Sequence, residues 1–112
     1  MIKFIVVLYR KTGWEPAAFR SYLVDVHGPL AEKLPGLARY VHNYTADDPT
    51  RRHPGWDAII ELSWADRESM EAAWQSPEGA AASGDLDVFV DLERSRWSIV
   101  EEFVRGERAA AS

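Results

Sequence analysis

Cysteine is absent from this chain of 112 residues. Disulfides, thiolate metal sites and cysteine nucleophiles are thereby removed together, so the fold must hold by packing alone. Metal is disfavoured by the histidines as well. His27, His42 and His53 form neither an i, i+4 helical pair nor an H-E-x-x-H arrangement, the spacings that bring imidazoles to one ion. No glycine-rich turn follows a strand pattern, so a nucleotide has no phosphate cradle. Neither a metal nor an organic cofactor is expected.

Basic residues are scarce too. The 13 Lys and Arg face 18 Asp and Glu, for a net charge of -5. Apart from Arg10-Lys11 and Arg51-Arg52 they are scattered, so no stripe tracks a phosphate backbone and nucleic acid is not an expected partner. The apolar run from Phe4 to Leu8 is far too short for a membrane span, and neither the charges nor the cleavage pattern of a signal peptide is present. The reading is a cytoplasmic protein without a membrane partner. Repeats and long linkers are missing, and the length suits one domain over residues 1–105, with 106–112 as a flexible tail.

Apolar and aromatic side chains, by contrast, are plentiful: 46% and 12% of the chain, with five tryptophans. Residues 2–9 read as a strand, Ile2, Phe4, Val6 and Leu8 on one face and Ile5, Val7 and Tyr9 on the other. Pro16 suits the first position of a helix in which Phe19, Tyr22, Leu23 and Val26 follow i, i+3, i+4, i+7 spacing. His27, at i+8, continues that face, and Gly28-Pro29 supplies a stop directly after it. Residues 29–33 add one further turn, ended by Pro35-Gly36.

Residues 37–45 read as a second strand with Tyr40, His42 and Tyr44 on one face. Residues 46–55 carry turn formers and no periodicity, so they form a loop that either covers a site or is a solvated excursion. Residues 56–64 alternate as a third strand, with Trp56, Ala58, Ile60, Leu62 and Trp64 on one side. Asp66 caps a second helix bearing Met70, Ala73 and Trp74, halted at Ser76-Pro77. Pro77-Glu78 restarts a turn that ends near Gly84. A further short helix then places Leu86, Phe89 and Val90 inward and Asp85, Asp87 and Asp91 on its wet side. Residues 96–104 form the last strand.

Strand, helix, strand, strand, helix, strand is the split βαβ order, an α+β fold whose two helices cover one face of a four-stranded antiparallel sheet. The first and last strands are apolar on both sides, so the uncovered face needs a partner. An isologous homodimer closing a barrel around one ligand per chain meets that need.

His27 anchors the chemical reading. Inward at a helix terminus, its ring is pulled toward the charged form by the helix C-terminus and Asp25, and toward the neutral form by burial. Such a group transfers protons near neutral pH or merely hydrogen-bonds a carbonyl, and both readings stand. Of the tryptophans, Trp64 and Trp74 read as core.

Arg10-Lys11, His27-Gly28-Pro29-Leu30, Pro35-Gly36 with Tyr40 and Asn43, Asp57, Ser76-Pro77-Glu78, and Asp85 with Phe89 occur in an order that resembles the EthD family of the dimeric α+β barrel superfamily. The resemblance spans nearly the whole chain and implies a ferredoxin-like fold, βαββαβ, in a small homodimer without metal or organic cofactor. The family takes its name from an ether-degradation gene cluster built on a cytochrome P-450 system. Relatives of the same fold include 4-methylmuconolactone methylisomerase and polyketide-tailoring cyclases, dehydratases and cofactor-free monooxygenases. His27 and Tyr40 match the histidine and tyrosine of the methylisomerase, while the absence of cysteine counts against that lactone chemistry.

The resemblance thus implies a cofactor-independent enzyme on a hydrophobic, oxygenated small molecule, an isomerase, cyclase or dehydratase, or else an oxygenase with the general label oxidoreductase. A non-catalytic accessory protein of the P-450 system is the alternative. His27 would exchange the proton, Tyr40 would donate to an enolate or carbonyl oxygen, and Asp57 would orient or relay. Tyr9, His42, Trp56 and Glu61 complete the expected substrate-binding set.

Overall fold

The computed structural model describes residues 1–52 and 55–110, so His53 lies outside the described residues. Strand β1 (Ile2–Leu8) leads into α1 (Pro16–Tyr22), a π-helical turn (Leu23–His27) and α2 (Gly28–Ala31). Strands β2 (Arg39–Tyr44) and β3 (Ala58–Trp64) follow, then α3 (Arg67–Gln75), α4 (Pro77–Phe89) and β4 (Arg96–Glu101). The sheet is antiparallel in the order β2-β3-β1-β4. This is the α+β arrangement expected from the sequence, with β1 and β3 central.

Register assigns the faces. Ile2, Phe4, Val6 and Leu8 stand opposite Trp64, Leu62, Ile60 and Ala58. These pairs carry the helices and, with Phe19, Leu23, Met70, Ala73 and Phe89, form the core. On the reverse face Ile5, Val7, Val41 and Ile59 are half-buried. Toward one end of that face the buried Lys3 ammonium donates to Glu61 at 2.8 Å and also pairs with Glu102. Both carboxylates raise the Lys3 pKa, Glu102 most, and Lys3 in turn lowers that of Glu61.

The helices depart from the expectation at two points. The chain does not stop after His27; it stays helical to Ala31, and the Gly28 N–H bonds Leu23 O across a π turn. In a regular α-helix Val26, at i+7, lies nearer the Phe19 meridian than His27 does at i+8. The extra residue in the π turn reverses them. Val26 is 45% exposed and His27 only 7%. Because the histidine sits within a helix, the C-terminal dipole invoked for it does not apply.

The second departure is α4, one helix through Gly84 instead of two short ones. Ser76 caps it, accepting from Gly79 N at 3.1 Å, as Asp66 caps α3 by accepting from Ser69 N at 2.8 Å. A good cap and a buried face outweigh the roughly 1 kcal/mol that one interior glycine costs. Finally, β4 ends at Glu101, and Phe103 and Val104 extend beyond it into solvent. Among the described residues no helix is long and apolar enough to cross a membrane.

Candidate active site

Because α4 is continuous, Asp85 stands one turn before the fully buried Phe89, on the inner face, and not on the wet side where the split reading put it. Its side chain is 14% exposed. Oδ2 lies 3.0 Å from His27 Nδ1, and Oδ1 accepts from the Tyr22 hydroxyl at 2.8 Å. A carboxylate only accepts, so Nδ1 carries the hydrogen and Nε2 the lone pair. Phe89 packs beneath the histidine, ring centroids 5.3 Å apart. Burial lowers the His27 pKa while the bond to Asp85 works against it, with burial the larger effect. The ring is therefore neutral at pH 7, as a base must be.

His27 lines a cavity of about 360 Å³ between the helices and the sheet. Phe4, Val6 and Leu62 face it from the strands, Leu23 and Ala82 from the helices. Its wall is nearly all apolar, with His27, Tyr40 and Ser83 supplying the polar side chains. Burial raises the Tyr40 pKa strongly. That hydroxyl remains a donor throughout the neutral range. Trp74, foreseen as core, also reaches the cavity, and its indole Nε1 is buried without a hydrogen-bond partner.

His42 neighbours this pair without lining the cavity. Its ring meets Tyr40 edge-on at 4.6 Å, and its Nδ1 is 2.8 Å from the Tyr44 hydroxyl. Nε2 is buried and unpartnered. The ring also lies against Gly28, where an added Cβ would stand 3.6 Å from His42 Cε1. Its pKa is lowered, by burial first and by His27 second.

The remaining expected residues are elsewhere. Asp57 accepts from the Arg10 backbone N–H at 2.8 Å and from its guanidinium at 2.6 Å, tying the end of β1 to the start of β3. Glu61 belongs to the reverse face with Lys3. Strand alternation separates both from the helix-facing Ala58, Ile60 and Leu62. Tyr9 packs under the Arg94 guanidinium at 4.3 Å, and the Trp56 carbonyl accepts from Thr45 at 2.9 Å. None of these four lines the cavity. Among the described residues no cluster of three or more His, Asp or Glu could hold a metal.

Asp85 and Tyr22 are thus the groups that a reading of helix faces missed as site residues. The signal was present: Ala82, Asp85 and Phe89 follow i, i+3, i+7, the inner stripe of one unbroken helix.

The family described as "EthD domain" matches residues 11–93. A Rhodococcus erythropolis protein described as an uncharacterized 11.0 kDa protein in the thcB-thcC intergenic region is 26% identical over 85 residues, covering 76% of this chain and 81% of the relative. Among solved structures, an ethyl tert-butyl ether D (EthD) family protein from Bacillus halodurans superposes with a TM-score of 0.77 at 25% identity, covering 92% of this chain and all of that one. SnoaB, a cofactor-independent oxygenase from Streptomyces nogalater, gives a TM-score of 0.67 at 15% identity over 95% of this chain and 97% of its own, a likeness of fold.

Proposed function

The chain belongs to the EthD family, and we propose that it is a cofactor-independent enzyme that moves a proton on a hydrophobic, oxygenated small molecule. One observation carries the reading: an imidazole held by a carboxylate through Nδ1 lines a largely apolar cavity that Tyr40 and Ser83 also line. His27 Nε2 takes a proton from carbon next to a carbonyl, or from a phenol. The imidazolium that forms is stabilised by Asp85, and Tyr40 donates to the enolate or phenolate oxygen. Returning the proton to a different atom makes an isomerase; losing hydroxide next makes a dehydratase. An enolate or phenolate is also the electron-rich species that a cofactor-free oxygenation begins from.

Solvent deuterium exchange into 2-tetralone, a bicyclic ketone with acidic carbon-bound hydrogens, tests the step without knowledge of the natural substrate. Wild type should accelerate exchange, and His27→Gln should lose about 10²- to 10⁴-fold of that acceleration, the usual contribution of one positioned general base. Exchange unchanged in His27→Gln refutes the assignment. Tight ketone binding without any exchange in wild type favours the accessory, non-catalytic function instead.

A further inference from the structure

The cavity has two unlike ends. Tyr40 stands on β2 and Trp97 on β4, the two edges of the sheet, and both line it. Three inter-strand spacings of about 4.8 Å separate those strands, so the cavity crosses roughly 14 Å of sheet. Of the polar lining groups His27, Tyr40 and Ser83, Tyr40 stands at the β2 side, and His27 adjoins that strand through Gly28, where an added Cβ would lie 3.6 Å from His42 Cε1. At the β4 side are Leu92 and Trp97, 41% and 55% exposed although both belong to the cavity wall. Helix α4 ends at Phe89, short of covering them. The indole therefore stands at the mouth, with area free to receive a flat ring.

We infer that Trp97 reads the far end of an elongated, one-ended aromatic ligand, whose oxygen lies at Tyr40 and His27 and whose distal ring stacks on the indole. The inference rests on the proposed function for the oxygen end only; the distal contact is a matter of affinity and is separable from turnover. Aromatic pairs contribute about 0.5–1.5 kcal/mol beyond area burial, or roughly two- to twelvefold in affinity.

Phenol, 2-naphthol and 4-phenylphenol provide the test, with dissociation constants measured by isothermal calorimetry. Wild type should bind 4-phenylphenol more tightly than phenol. In Trp97→Ala the 4-phenylphenol to phenol ratio should fall about two- to twelvefold, phenol itself binding as before, while Trp97→Phe keeps most of the ratio. Trp97 is half exposed, and the phenol affinity reports whether the cavity has kept its shape. A ratio unchanged in Trp97→Ala overturns the inference, as does an equal loss for all three phenols. Failure of the proton-transfer reading shows separately, as exchange retained in His27→Gln, and leaves the ratio untouched.

Discussion

Replacing Asp85 by asparagine tests whether the carboxylate sets the state of His27 or only holds α4 in place. Asp85 accepts two hydrogen bonds, from His27 Nδ1 at 3.0 Å and from the Tyr22 hydroxyl at 2.8 Å. Asparagine retains one acceptor and turns the other into a donor. If its oxygen stays with Tyr22, its NH₂ faces Nδ1, and the imidazole must take the other tautomer with hydrogen on Nε2. The lone pair then points away from the cavity and the base is lost. If the amide turns the other way, NH₂ meets the phenol and the tautomer survives, but the charge that stabilises the imidazolium is gone. Either outcome should lower exchange by about 10²- to 10⁴-fold.

The stability change should be much smaller. Two charge-assisted bonds become at best two neutral ones, a loss of about 1–3 kcal/mol, which lowers the urea midpoint without unfolding the chain. The discriminating measurement is the double variant with His27→Gln. A group acting through His27 has nothing left to act on, so Asp85→Asn should add little in that background. Full exchange activity in Asp85→Asn, with only the urea midpoint shifted, would refute the reasoning and reduce Asp85 to a structural link.

Three more outcomes follow from the geometry. A Cβ at Gly28 would lie 2.9 Å from the Leu23 carbonyl oxygen, whereas one at Gly84 meets nothing within 4 Å; urea melts should therefore show Gly28→Ala destabilised by about 1–3 kcal/mol and Gly84→Ala stabilised by up to about 1. His27 and His42 both have folded pKa values below the ordinary 6.5, so the unfolded chain binds more protons between the two values. Their contribution to stability is complete above about pH 6.5 and is lost as pH falls through the folded values, and His27→Gln should flatten the decline in urea midpoint between pH 7 and 5. On the reverse face, if a second copy covers Ile5, Val7, Val41 and Ile59, native mass spectrometry should find dimers in wild type and monomers in Val7→Asp; a monomeric wild type at micromolar concentration would remove the homodimer from the proposal.

The strands and one helix could be read from the sequence because each follows a local rule. Ile2, Phe4, Val6 and Leu8 alternate with a β-branched or aromatic reverse side, and Ala58, Ile60, Leu62 and Trp64 repeat the pattern, so period and composition agree. Asp66 with a following apolar stripe marked α3 for the same reason. Boundaries were less legible. Residues 37–38, 56–57 and 102–104 have strand-like composition but lie outside the strands. Residues 102–104 lie outside β4 because its partner β1 begins at Ile2, opposite Glu101, whereas at 38 and 57 single backbone bonds, Ala38 N to Ser63 O and Asp57 N to Leu8 O, run on past the regular ladder.

His27 is buried, as its place on the helical face predicts, but for a different physical reason. Gly28-Pro29 is a stop signal only if the preceding helix is α; after a π turn the glycine is demanded by the close Leu23 carbonyl, and the chain continues. No side-chain pattern announces that turn. The same turn that moves Val26 outward and His27 inward leaves the ring facing α4, and only a continuous α4 offers it Asp85. The two departures therefore meet at one contact, the hydrogen bond between His27 Nδ1 and Asp85. A regular α-helix would instead set Val26 about 20° and His27 about 80° from the Phe19 meridian, leaving the valine inside and moving the imidazole to the flank of the inner face.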